Sequence, residues 1–288
     1  MKIRQMIEVL CAMHLSSRVE GPFPSRGGIM LVGSPGVFKT SLLAVLDANY
    51  DDALMLSDVN VSTLTDYRSG MQSGRIRSIV LPELAKLYER NPATANNVIG
   101  TVRALVDEGF RSASFEDARI QRASSRCTVM GALTPALQQK HYKEWIDSGF
   151  ARRFLWLLIS LADEDALTDA VTKWQRIDFH APILPRPPID SSRIPLLSSD
   201  VERRHLLRFL KHQPGESTVV QHSTLVKIHG VLKWWYQQTG DKRDAMDTVT
   251  AFGISLGSNG AQLELELPAE PQKRRRKSRK RKVRRGQR

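Results

Sequence analysis

A short apolar run that leads directly into a turn of small residues constrains the fold of this chain more than any other feature. Ile29 to Val32 is apolar, and Gly33 to Ser41 reads Gly-Ser-Pro-Gly-Val-Phe-Lys-Thr-Ser. A helical pattern follows, with Leu42, Leu43, Val45 and Leu46 on its apolar side. A strand that turns through small residues into a helix points several backbone N–H groups at one place, where the helix dipole also attracts anions. The pattern therefore predicts a strand, a loop and a helix, with a phosphate site at the loop.

The spacing of this loop is close to that of the usual phosphate-binding loop, in which Gly, four residues, Gly, Lys and then Ser or Thr follow one another. In that motif the Lys ammonium reaches the outer phosphates and the hydroxyl holds Mg²⁺. Gly33, Lys39 and Thr40 match, whereas Phe38 stands where the second Gly is expected. We therefore predict binding of ATP with Mg²⁺ on Thr40; the plainer alternative is an ordinary strand-to-helix turn. The predicted nucleotide-binding residues are Gly33, Ser34, Pro35, Gly36, Val37, Phe38, Lys39, Thr40 and Ser41.

Apolar runs alternate with helical patterns over the first 160 residues. Runs at 53–56, 79–81, 127–133 and 155–159 are typical of strands, and residues 93–110 carry apolar side chains at the three-and-four spacing of one helix face. Such alternation predicts an α/β fold with a parallel sheet and helices on both faces. The predicted organisation is a core at 1–165, a Pro-rich connector at 166–198, a small, mainly helical unit at 199–268 and a disordered basic tail at 269–288. Alternating Leu and Glu at 263–267 predict a strand-like ending of the helical unit.

The third apolar run ends at Pro82-Glu83, where hydrolysis of a bound triphosphate would place its base. Such hydrolysis needs an oriented water, a metal and positive charge near the departing phosphoryl group. Glu83 is the predicted water-activating carboxylate. Pro82 occupies the position of the expected metal-holding Asp, so Mg²⁺ would rest on Thr40 and waters, with Asp58 as a further candidate ligand. The alternative is a protein that binds nucleotide but turns it over slowly or not at all.

The net charge of +13 is concentrated at the end of the chain. Residues 273–288 hold 12 basic side chains and no acid, whereas the rest of the chain is nearly neutral. A segment of this composition is expected to be disordered on its own and to neutralise nucleic-acid phosphates without reading sequence. We predict nucleic-acid binding by this tail, with DNA favoured; a solubility tail or a tail that binds acidic proteins are the alternatives.

The expected location is the cytoplasm, without a membrane partner. No apolar run approaches the roughly 20 residues that a spanning helix needs. Cys11 and Cys127 are too few for a disulfide framework, and a reducing compartment suits them.

Taken in order, Gly33 to Thr40, Pro82-Glu83, the run ending Gly131-Ala132-Leu133-Thr134-Pro135, and Gly149 to Phe154 resemble the AAA+ branch of P-loop ATPases. Over the first 160 or so residues the chain is most similar to helicase-like ATPases carried by phages and plasmids.

That resemblance implies roles for three further residues. Thr134 would be a polar sensor of the γ-phosphate or the water, and Arg152 or Arg153 would be an arginine finger inserted into a neighbouring subunit's site. A finger acting in trans implies a homo-oligomer, commonly a hexameric ring. The function implied is an ATPase of the helicase or helicase-loader type acting on DNA in a mobile element. The alternative is a catalytically weak, nucleotide-dependent switch or scaffold that binds nucleic acid through its tail.

Overall fold

The computed structural model of the 288-residue chain describes residues 3–19, 26–107, 109, 126–159, 193–211, 213 and 219–265. The strands are β1 (Gly28–Gly33), β2 (Ala53–Met55), β3 (Ser78–Leu81), β4 (Thr128–Leu133) and β5 (Phe154–Ile159). The helices are α1 (Ile3–Leu15), α2 (Lys39–Asn49), α3 (Val61–Asp66), α4 (Arg68–Gln72), α5 (Ala85–Tyr88), α6 (Pro92–Asp107), α7 (Pro135–Asp147), α8 (Asp200–Leu206), α9 (Val219–Thr239) and α10 (Ala245–Leu265). Short 3₁₀ turns cover Ser16–Arg18, Ala151–Arg153 and Leu207–Leu210.

Within the described residues the strands form one five-stranded sheet in the order β2-β3-β4-β1-β5, and every pairing is parallel. The register places Val32 of β1 beside Leu133 of β4, and Leu81 of β3 beside Gly131 of β4. The α/β fold with a parallel sheet is therefore confirmed. All of the strands end at the same edge, which is where ligands bind in sheets of this kind.

Both faces of the sheet are covered by helices, as the sequence predicts. Ile29 and Leu31 of β1 point into a buried cluster with α1, α2, α9 and α10, whereas Met30 and Val32 point into a second cluster with α6 and α7. Successive residues of a strand face opposite sides, so β1 is apolar throughout because neither of its faces meets water.

The helices of the predicted 199–268 unit share their core with the sheet. Leu225 and Val231 of α9 and Phe252 of α10 belong to the same buried cluster as α1 and β1. The carboxylate of Glu8 in α1 is buried and accepts hydrogen bonds from Tyr236 of α9 (3.1 Å) and Arg243 (2.9 and 3.0 Å). The α9 and α10 helices thus pack on the face of the sheet that also carries α1 and α2, and do not form a core of their own.

The strand-like ending predicted at 263–267 is wrong as far as Leu265, because α10 continues to that residue. Two Leu-Glu alternations are too short to outweigh a run of good helix formers from Ala261 onwards. Most of the predicted connector and the whole tail at 269–288 lie outside the described residues. No helix in the described ranges is long and apolar enough to cross a bilayer.

A buried polar network joins α1 to the amino ends of β3 and β4. His14 Nδ1 lies 2.7 Å from Ser78 Oγ, which also contacts the hydroxyl of Thr128. His14 Nε2 lies 3.0 Å from Asp52 Oδ1, and Arg18 Nη2 donates to Asp52 Oδ2 at 2.6 Å. Burial lowers the pKa of His14, against the opposing effect of Asp52. Burial raises the pKa of Asp52, but His14 and Arg18 outweigh it and hold that pKa well below its usual range.

Candidate functional site

The predicted loop, sensor and base are brought together at the carboxyl edge of the sheet. Gly33 ends β1, Thr134 follows β4, and Glu83 follows β3 after Pro82. Neighbouring strands are about 4.8 Å apart, so Thr134 lies one strand spacing from β1, and Glu83 lies about 10 Å away across two spacings. A triphosphate seated on the loop would therefore extend towards both side chains.

The path of the loop between β1 and α2 is constrained at three positions. A Cβ on Gly33 would lie 2.6 Å from a methyl group of Val37 and 2.7 Å from the carbonyl oxygen of Ile159, so that position demands Gly. Gly36 has φ of 86°, and Phe38 has φ of 56° and ψ of 14°. Phe38 is the single non-glycine residue with positive φ among the described residues. It adopts the left-handed conformation that the glycine of the usual motif would supply.

Lys39 begins α2 and turns back over the loop. Its ammonium donates hydrogen bonds to the carbonyl oxygens of Gly33 at 2.8 Å and Ser34 at 2.7 Å. Partial burial lowers the pKa of Lys39. Ser34, Gly36 and Thr40 are exposed around it. The ammonium group is therefore held against an exposed loop, where an anion can approach it. The hydroxyl of Thr40 lies one residue further along α2.

The strain of the left-handed backbone at Phe38 can be tested without a ligand. A side chain in the left-handed region costs about 1–2 kcal/mol, whereas Gly costs about 0.5–1 kcal/mol through the entropy of the unfolded chain. We therefore expect the Phe38→Gly protein to be more stable than Phe38→Ala by about 0.5–1 kcal/mol, the reverse of the usual order. Urea unfolding of the two variants measures this difference. A Phe38→Ala protein that is the more stable of the two would show that this backbone is not strained.

Glu83 lies in the turn after β3 with its carboxylate half-exposed. The N–H of the next residue, Leu84, donates to the carbonyl of Ala132 at 3.1 Å, which fixes this turn against β4. The carboxylate pairs with Lys86 at 2.6 Å, and both side chains are nearly half accessible, at 48% and 44%. An ion pair this exposed is screened by solvent and contributes little to stability, so Glu83 can readily exchange it for another partner.

Asp58 does not lie where a ligand of a loop-bound metal is expected. It follows β2, the edge strand, which is three strand spacings or about 14 Å from β1. Two oxygens on one Mg²⁺ lie within about 4 Å of each other, because each bond is about 2.1 Å long. The Asp58 carboxylate is instead paired with Arg90. The strand order therefore argues against direct shared coordination with Thr40. Among the residues described, no group of three or more His, Cys, Asp or Glu is placed to hold a metal.

Thr134 serves as the N-cap of α7. Its hydroxyl oxygen accepts a hydrogen bond from the N–H of Leu137 at 3.3 Å, and Pro135 takes the first helical position. A hydroxyl that accepts at the cap still has its own proton to donate. Thr134 is thus placed to donate towards an anion at the edge of β1 and β4.

Arg152 and Arg153 lie at the amino ends of the strands, whereas the loop lies at their carboxyl ends. They precede β5, whose first residue Phe154 pairs with Gly28 at the start of β1. Six strand residues, about 20 Å, separate that position from the loop. Within one chain these arginines therefore do not join the site. Arg153 also pairs with Asp107 at 2.8 Å and donates to the carbonyl of Gly149 at 2.6 Å.

The network around His14 was missed by the sequence reasoning, although it contains a Ser, a His and an Asp at hydrogen-bonding distances. Ser78 and His14 are fully buried at the amino edge of the sheet. A nucleophilic serine must be reached by its substrate, so this arrangement is structural. One signal was present: His14 continues the apolar face of α1 with Ile7 and Leu10 at helical spacing, which indicates a buried histidine in need of a partner.

Comparison with known protein families and with curated proteins finds no match for this chain.

Proposed function

We propose that this chain is an ATP-binding, AAA+-like P-loop ATPase that acts on DNA in the cytoplasm, of the helicase or helicase-loader type. The observation that carries the proposal is the left-handed Phe38, because it gives the loop the backbone that the motif needs although the glycine is absent. With that conformation Lys39 opens α2 and its ammonium lies above the loop. The Mg²⁺ ion would be held by Thr40, waters and the phosphates.

In this proposal Glu83 orients the attacking water and Thr134 donates to the γ-phosphate or to that water. Thr134 follows β4, which lies beside β1, and Glu83 follows β3, one strand further from β1. Both residues lie at the edge of the sheet where the loop leaves β1. The Lys86 partner of Glu83 is exposed and exchangeable, so nucleotide binding can free the carboxylate. Positive charge for the transition state would come from Arg152 or Arg153 of a neighbouring copy, since the chain's own arginines are at the far edge. The proposal therefore includes a homo-oligomer, such as a hexameric ring.

A second candidate function is a nucleotide-dependent switch with little or no turnover. One observation favours it: Pro82 stands where the motif is expected to have a metal-holding Asp. Such a protein would bind ATP through the same loop, change its assembly or partners, and release nucleotide without rapid hydrolysis.

Phosphate release separates the two functions. The full chain with Mg·ATP is assayed with and without single-stranded DNA, beside a Lys39→Ala variant as the background. The motor function predicts release above that background and an increase with DNA. Release at the Lys39→Ala level, together with ATP binding by the wild type, would establish the switch and exclude the motor.

The tail at 273–288 is the proposed nucleic-acid anchor, on the strength of its 12 basic residues. Each phosphate contact adds roughly 0.7–0.9 to the slope of log affinity against log salt. Deleting residues 273–288 is expected to weaken DNA binding and to flatten this slope. Equal affinity and slope in the shortened protein would assign DNA binding to another part of the chain.

A further inference from the structure

A second basic surface lies on the folded part of the chain. The α8 helix and the 3₁₀ turn after it run without a break from Asp200 to Leu210. Arg204, Arg208 and Lys211 are exposed on this segment at spacings of four and three residues, which places them on one face. We name these three residues the α8 stripe. At about 1.5–2 Å of rise per residue the stripe is about 12 Å long.

The acids of α8 do not neutralise the stripe. Asp200 pairs with the side chain of Arg203 at 3.2 Å, and Glu202 pairs with Lys233 of α9 at 2.8 Å while closing a capping box with Ser199. The three stripe residues make no ion pair with any residue in the described ranges. Arg204 donates to the backbone carbonyl of Asp200, at 3.3 Å. Among the residues that the structure describes, no acid therefore compensates the positive charge that the stripe presents to solvent.

The opposite face of the same segment is buried in the protein core. Leu206 and Leu210 are fully buried, and the ring of Phe209 packs so closely on Gly253 of α10 that a Cβ there would lie 2.3 Å from it. A helix that binds a membrane surface inserts its apolar face into the lipid. Here that face is already buried, and within residues 200–210 the large apolar side chains left exposed are those of Val201 and Leu207. The surface is therefore better suited to binding a polyanion from solution than to inserting into a bilayer.

We propose that the α8 stripe binds the phosphate backbone of the nucleic acid on which this protein acts. Each strand of a DNA duplex carries one charge per about 3.4 Å of helix axis, so a stripe of this length spans about three phosphates of one strand. The proposal rests on the nucleic-acid part of the proposed function and adds a docking site on the folded core. The basic tail would then capture the strand non-specifically, and the stripe would hold it at a fixed place on the protein.

The test uses the full chain and a fluorescein-labelled oligothymidylate, with affinity measured by anisotropy over a series of KCl concentrations. The stripe variant carries Arg204→Gln, Arg208→Gln and Lys211→Gln. The matched control removes the same charge elsewhere, by Arg75→Gln, Lys140→Gln and Lys143→Gln, all at exposed positions. The stripe variant is expected to bind about tenfold or more weakly at low salt and to have a slope shallower by about 2, whereas the control changes far less.

Other outcomes would overturn the proposal. A wild-type slope in the stripe variant would show that the stripe does not contact phosphates, and an equal change in the control would show that only overall charge matters. Loss of sedimentation with phosphatidylserine vesicles while DNA affinity is kept would assign the stripe to lipid. Calorimetry with Mg·ATP is run on the same variant, so that failure of this proposal is distinguished from failure of the nucleotide site. Should the triple variant unfold at lower temperature, Lys211→Gln alone replaces it, with an expected slope change of about 0.7.

Discussion

Replacing Glu83 by glutamine is expected to lower ATP turnover by at least about a hundredfold, while Mg·ATP still binds. A positioned general base contributes about 10²–10⁴-fold to a rate, and an amide of the same shape cannot accept the proton of the attacking water. Binding is kept because the loop and Lys39 are two strand spacings away from Glu83. Steady-state phosphate release and calorimetry on the same preparation measure the two effects separately.

The matched control for this variant is Glu89→Gln. Glu89 is exposed at the end of α5 and lies six residues further along the chain, so its loss makes the same change in charge without touching the turn after β3. Turnover of the Glu89→Gln protein is expected to equal that of the wild type. Unchanged turnover in Glu83→Gln would show that another group activates the water.

Replacing Asp52 by asparagine is expected to lower the free energy of unfolding by about 2–4 kcal/mol at pH 7. The carboxylate is the shared partner of the buried His14 and of Arg18 and Arg77, so its loss leaves positive groups uncompensated in the protein. Asparagine keeps the shape of the side chain, so the change isolates the charge. Urea unfolding measures it, with Asp47→Asn, an exposed position on α2, as a control expected to change stability by less than about 0.5 kcal/mol.

The difference between wild type and Asp52→Asn is expected to shrink on acidification. The pKa of Asp52 is lower in the folded protein than in the unfolded chain, so its contribution is full above the unfolded value of about 3.9 and is lost as the pH falls below it. Unfolding at pH 7 and near pH 3 tests the sign. A difference that is constant, or that grows at low pH, would contradict the assigned network.

The strands, the loop and α6 could be predicted from the sequence because each is encoded locally. The run at 29–32 is apolar on both faces, and Val98, Val102 and Leu105 recur at helical spacing. The order of the strands could not be predicted, because it depends on pairings between distant segments such as β1 and β4. That order is what places Thr134 beside the loop and Asp58 three strands away from it, whereas Arg152 and Arg153 lie at the amino ends of the strands because they precede the parallel strand β5.

The conformation of Phe38 could not be read from the residue itself. Phenylalanine rarely has positive φ, so the sequence suggests a weakened motif, and only the position of the loop between β1 and α2 imposes the left-handed backbone. The α8 stripe was missed for a different reason. In the sequence, nearby acids balance the positive charge of the stripe. The fold pairs these acids with other residues, Arg203 and Lys233.

Calorimetric titration of the full chain with Mg·ATP tests the central claim, that the loop after β1 holds a triphosphate although Phe38 replaces a glycine. The account predicts saturable binding of one nucleotide per chain, and affinity lower by at least about tenfold in Lys39→Ala, because a charge-assisted hydrogen bond to phosphate contributes about 1.5–3 kcal/mol. No heat of binding in the wild type, or equal affinity in Lys39→Ala, would contradict it.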